Sequence, residues 1–62
     1  MSKIIIEKLT QEDIGRPVVY TPRLDDKTEE GVIKAWNDTF VFVDYGDDRG
    51  IATPPYLLEF KS

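Results

Sequence analysis

The chain contains no cysteine and no histidine, and its two serines stand at its ends, Ser2 and Ser62. Without cysteine there is no disulfide to staple a small fold and no thiolate to share a zinc site with histidine. A core of side chains must hold the structure alone, and the lack of disulfides suits a reducing compartment. The same absences remove the usual nucleophile–base pairs of covalent catalysis. Glycine is scarce, four residues in 62, and no glycine-rich phosphate loop is present. We therefore expect no enzyme, no cofactor and no metal. Long apolar runs are missing too. The run Ile4-Ile5-Ile6 stops at Glu7, too short for the apolar heart of a signal peptide and far from the roughly 20 residues that span a bilayer. A cytoplasmic protein without membrane contact is the expectation.

Basic residues are few. Eight stand against twelve acids, a net charge of −4, and they are scattered singly along the chain. A domain that grips nucleic acid through its phosphates normally carries a basic stripe, so this balance disfavours such a partner. Acids do cluster: Asp25, Asp26, Glu29 and Glu30 in one loop, and Asp44, Asp47 and Asp48 in another. Solvated charge is the plain explanation of the first cluster. Its spacing does not match the alternating oxygen ligands of a calcium loop.

What is present is a series of short strand signals. β-Branched side chains favour extended chain, and they fill Ile4 to Leu9, Val18 to Tyr20, Gly31 to Trp36, Thr39 to Tyr45 and Ile51 to Thr53. Thr10 with Asp13 three residues on is a capping-box pattern for one helical turn. Pro17 fits the first position of a strand, since it gives the ladder no donor, and Pro22 ends that strand. Asn37-Asp38 is turn chemistry between two strands, which makes residues 31–45 a hairpin. Its register has two solutions. A two-residue loop pairs Ala35 with Phe40 and Ile33 with Phe42. A loop one residue longer places Val41 and Val43 on the Ile33 face, and it is favoured because Lys34 and Asp44 then lie together outside. A slip of one residue exchanges the faces. Ile33, Ala35 and Val41 are the expected centre of the core. Pro54 to Leu57 suits a single 3₁₀ turn, and Leu57 to Phe60 makes a last strand or extended tail.

About five short strands separated by turns, with no long helix, point to an all-β fold: a small, strongly bent, five-stranded antiparallel barrel. Sixty-two residues make one domain, with an N-terminal segment over 1–13 and the barrel over 14–60. A chain of this size buries only about 60% of its unfolded surface, so its stability margin is thin.

The stretch Val41-Phe42-Val43-Asp44-Tyr45-Gly46-Asp47, followed by Gly50 to Thr53 and a leucine-bearing turn, resembles the Tudor family of small SH3-like barrels. That resemblance implies caging of a methylated cation by aromatic rings, with Tyr45 and Phe42 as two walls and Asp47 where the family has a ligand-contacting asparagine. The loop that would supply the other walls, "LDDKTEE", holds no aromatic residue. The chain is also similar to small accessory proteins encoded by bacteriophages and prophages. Their pattern is matched by Glu30 to Ile33, Asn37-Asp38, Val41 to Val43, Tyr45-Gly46, Ala52 to Pro54 and Leu57. This likeness implies a bacterial host.

Three functional readings follow. The first is a protein-binding module whose contact surface is Trp36, Phe42 and Tyr45, rimmed by Asp44, Asp47 and Arg49; an exposed aromatic patch usually marks a contact surface. The second is a nucleic-acid module in which the aromatics stack bases, although it lacks a basic track. The third is an acidic inhibitor that presents Asp25, Asp26, Glu29 and Glu30 to the nucleic-acid cleft of a host defence enzyme. The aromatics also have a plain reading, as plugs for the open ends of a small barrel. Exposed edge strands leave a homodimer open as well.

Overall fold

The structure, a computed structural model, describes residues 2–22 and 27–61. The strands are β1 (Ser2–Lys3), β2 (Pro17–Tyr20), β3 (Glu29–Trp36), β4 (Val41–Asp44), β5 (Ile51–Thr53) and β6 (Leu58–Phe60). Three 3₁₀ turns, Ile6–Lys8, Gln11–Asp13 and Pro55–Leu57, complete the elements, and no α-helix occurs among the described residues. All strands join one antiparallel sheet in the order β1-β6-β2-β3-β4-β5. Among the described residues no ladder connects β5 back to β1 or β6, so the sheet is open.

The sheet is nonetheless curled. Val18, Ile33, Val41, Val43 and Leu58 come from four different strands, and each is at most 1% exposed. Among the described residues only 3₁₀ turns and short connections are otherwise at hand to cover them, so most of the covering comes from the sheet bending over itself. The shortest dimension, 23 Å, agrees, because two stacked sheets already lie about 10 Å apart. Ile4 completes the buried cluster, and Ile6, Leu9, Tyr20, Trp36, Tyr45 and Phe60 pack against it.

Proline stands where its missing donor does no harm, at the first position of β2 and ahead of the last 3₁₀ turn. The expected cap also forms: the Asp13 carboxylate accepts the Thr10 backbone N–H at 2.9 Å. The expected strand from Ile4 to Leu9 does not. The strand is confined to Ser2–Lys3, and the chain turns over Ile6–Lys8. A strand continued to Leu9 would point Ile4, Ile6 and Lys8 to one side and leave Leu9 on the other with Ile5. Turning after Ile4 lets Ile4 enter the core and Ile6 and Leu9 pack beside it, while Ile5 stays outside. The two-residue β1 raises the strand count from five to six.

The hairpin places Val41 and Val43 inside with Ile33, and Ile33 faces Val43. At Lys34 the register shifts, so that Ala35 faces Phe42 and Trp36 faces Val41. A bulge of this kind inserts one residue and reverses the alternation beyond it. Ala35, expected in the core, is therefore exposed, and Trp36 turns inward in its place. Nor do Lys34 and Asp44 pair. The Lys34 ammonium meets Asp48 Oδ1 at 3.1 Å, and Asp44 lies opposite Val32. The hairpin loop itself is held by Asn37, whose Oδ1 accepts the backbone N–H groups of Thr39 and Phe40, both at 2.7 Å.

Candidate functional site

The six residues expected to form one contact surface are distributed over three places. Phe42 lies between Val41 and Val43, which are fully buried, so its side chain projects from the opposite face of β4. Tyr45 lies on the inner side, beside Gly31 at the start of β3. Trp36 is at the other end of β3, roughly 16 Å of extended chain away. A cage walled jointly by Phe42 and Tyr45 is thus excluded, because the sheet separates them. The ring that meets Tyr45 is Tyr20, edge-on with centroids 6.2 Å apart.

Tyr45 is not held out at a rim. Its Oη lies 2.9 Å from Thr53 Oγ1, and the Thr53 hydroxyl donates to the Ile51 carbonyl at 3.1 Å. A hydroxyl has one proton to give, so Tyr45 donates and Thr53 accepts. Burial pushes the Tyr45 phenol above its ordinary value, the Thr53 hydrogen bond opposes this, and the negative charge of Glu29 adds to the rise. The phenol oxygen is thus tied into the fold.

The acidic rim is likewise engaged with its own backbone. Asp44 Oδ1 accepts the N–H groups of Gly46 at 2.8 Å and Asp48 at 3.1 Å, and Asp47 Oδ1 accepts that of Arg49 at 3.3 Å. These bonds shape a turn in which Gly46 and Asp48 both take positive φ, a conformation that glycine and aspartate tolerate best. Arg49 follows on the exposed chain. Of the other acidic group, Asp25 and Asp26 lie outside the described residues. Glu29 and Glu30 are exposed on β3, and Glu30 pairs with Lys61. No group of three or more metal-ligating side chains is found among the described residues, and no helix there is long and apolar enough to cross a membrane.

Trp36 differs from the other two aromatics. It packs on the core from one side and faces a hollow of about 850 Å³ from the other. The floor and walls of this groove are Ile4, Ile5, Ile6, Leu9, Pro55 and Tyr56, and one end is closed by the hairpin loop at Asn37 to Thr39. Ile5 is 50% exposed and Tyr56 65%. These two are the most exposed large hydrophobic residues of the protein among those described, and both line the same groove.

Sequence reasoning singled out Trp36 but missed its neighbours. A signal for Ile5 existed: three isoleucines in a row cannot all face one core. Nothing in the local sequence placed Tyr56 across from it, since that depends on the return of the chain through Pro54-Pro55. A second grouping was equally hidden. Lys3, Lys8 and Arg16, isolated in sequence, converge around a smaller hollow beside Phe60. Arg16 is fixed there, with its guanidinium 3.9 Å above the Phe60 ring and its Nη1 2.9 Å from Asp13 Oδ1. The Thr10 amide, and then Arg16, hold the Asp13 carboxyl below its ordinary value. No protein-family model, curated protein or solved structure matches the chain.

Proposed function

We propose that this chain is a non-enzymatic binding module, a small SH3-like barrel of Tudor type such as phages and prophages encode among their accessory proteins. It holds a protein partner through the groove beneath Trp36. What supports the barrel reading is the path of the last strand. β6 returns beside β2, so a meander of short strands curls around one core although its two edges stay apart.

The observation that carries the binding reading is the position of the indole. A tryptophan packed on the core, with Ile5 and Tyr56 exposed beside it, gives a preformed apolar surface. Surfaces of this composition dominate protein–protein contacts, where a few aromatic anchors carry most of the energy. Phe42 lies on the far side of the sheet and Tyr45 is committed to Thr53, so neither belongs to this groove.

Trp36 is the sole tryptophan, and its fluorescence reports directly on the groove. A partner captured from bacterial lysate and purified should shift the emission to shorter wavelength and shield the indole from acrylamide. A captured partner that leaves both properties unchanged binds elsewhere and overturns the groove reading.

A further inference from the structure

We infer that the groove selects an acidic protein segment, with an apolar anchor seated on Trp36 and carboxylates held by Lys3, Lys8 and Arg16. This rests on the binding reading above and adds the chemistry of the partner. The Trp36 groove and the smaller hollow beside Phe60 share Lys3, Ile5 and Leu9, so they form one continuous surface. Its two ends differ. Beyond the shared Lys3, the polar lining of the Trp36 end is Glu7, Asn37, Asp38 and Thr39, whereas the Phe60 end carries Lys3, Lys8 and Arg16 against a single acid, Asp13. Three cations against one carboxylate leave two positive charges in excess at the Phe60 end, with Glu7 and Asp38 confined to the other end, on a protein whose net charge is −4.

Those cations are available. Arg16 is the one that Asp13 engages, and among the described residues Lys3 and Lys8 form no ion pair. The guanidinium is held flat on Phe60 and fixed by Asp13, which leaves N–H donors in a set orientation for a second carboxylate. An extended segment lying in the groove would meet an apolar floor first and positive charge at one end. That order specifies both composition and direction. A nucleic acid fits less well, because its phosphates continue past three cations into Glu7, Asp38 and the negative field of the whole molecule. Two or three carboxylates on a peptide match the number of cations.

The test is selection from a displayed library of random dodecapeptides on the immobilised protein. It is repeated with Ile5→Ser and with Lys3→Glu/Lys8→Glu, all exposed positions, after circular dichroism has shown that each variant is folded. The expected consensus joins an aromatic or aliphatic residue to acids on one side of it. Synthetic copies should bind the double lysine variant about tenfold more weakly, and selection on that variant should favour basic residues in the same place. An apolar consensus without acids overturns the charge assignment and leaves the groove reading standing. Peptides that ignore Ile5→Ser and do not alter Trp36 fluorescence overturn both, as does a selection that enriches nothing. Tighter, steeply salt-dependent binding of a dT12 oligonucleotide that Lys3→Glu/Lys8→Glu abolishes would make the ligand a nucleic acid. A sedimenting dimer with Trp36 shielded would make it a second copy of the chain.

Discussion

The two ends of the β3–β4 hairpin hold an aromatic residue each, and they use it in opposite ways. At one end Tyr45 is half-buried and tied in: Tyr20 meets its ring, Thr53 takes its hydroxyl proton, and Gly31 lets it approach β3. At the other, Trp36 rests on the core and faces an open groove bordered by exposed Ile5 and Tyr56. Both rings are partly buried, so burial alone does not tell them apart. Satisfaction of the surroundings does. The Tyr45 hydroxyl has its partner in Thr53, and although Ile51 and Val32 are also exposed near it, the two most exposed large apolar side chains among the described residues, Ile5 and Tyr56, stand beside Trp36.

The sharpest way to break the Tyr45 end is Gly31→Ala. A methyl group there would lie 2.6 Å from both the Asp44 carbonyl oxygen and Val43 Cγ1, and since one of these is backbone the clash cannot be relieved by a rotamer. We expect a loss of about 3 kcal/mol in urea unfolding, a large share of what so small a domain has. Tyr45→Phe is milder. It removes one hydrogen bond and should cost about 1 kcal/mol at neutral pH. The phenol titrates above its ordinary 10.0 in the folded state, so its neutral form is the one that folding favours. Stability from this source is complete below pH 10.0 and is lost as pH rises through the folded value. The gap between wild type and Tyr45→Phe should close in that range, and melting temperatures measured from neutral to alkaline pH check it.

The smallest effect belongs to the groove side. Asp13 titrates below its ordinary 3.8, so the folded state favours its charged form. The stability it adds is present above pH 3.8 and disappears as pH falls through the lowered value. Asp13→Asn should lower the melting temperature slightly near neutrality and match wild type in strong acid. A larger change would mean that the Arg16 clamp supports the fold as a whole, and would weaken the contrast between the two ends.

Much of the sheet was legible because local chemistry and tertiary structure agree. Pro17 ahead of Val18-Val19-Tyr20, Asn37-Asp38 between two strands, and Pro54-Pro55 after Ile51 to Thr53 all mark boundaries that the structure keeps. Two features escaped. The turn at Ile6 and the bulge at Lys34 both answer to packing among distant strands, which no window of neighbouring residues contains. Of the candidate surface, the interest of Trp36 could be read from its place at the hairpin end. Phe42 was separable in principle, since it alternates with two core valines. Tyr45 was separable on the same ground, since the alternation places it on the inner side with Val41 and Val43, but its partners Tyr20 and Thr53 come from other strands and could not be read locally. The meeting of Lys3, Lys8 and Arg16 depends on β1 lying against β6 and on two 3₁₀ turns, and it leaves no trace in their spacing.

The extra residue at Lys34 gives β3 two independent phases. Its first half answers to the interior through Gly31 and Ile33, and its second half answers to the groove through Trp36. Loss of Lys34 would remove the bulge and leave Trp36 opposite Val41, whereas regular pairing through Lys34 with no residue lost would carry the indole across to the side that Phe42 occupies. Within the eight residues of one strand, the bulge decides which side of β3 presents the indole, and Ile33 keeps its place in the core either way.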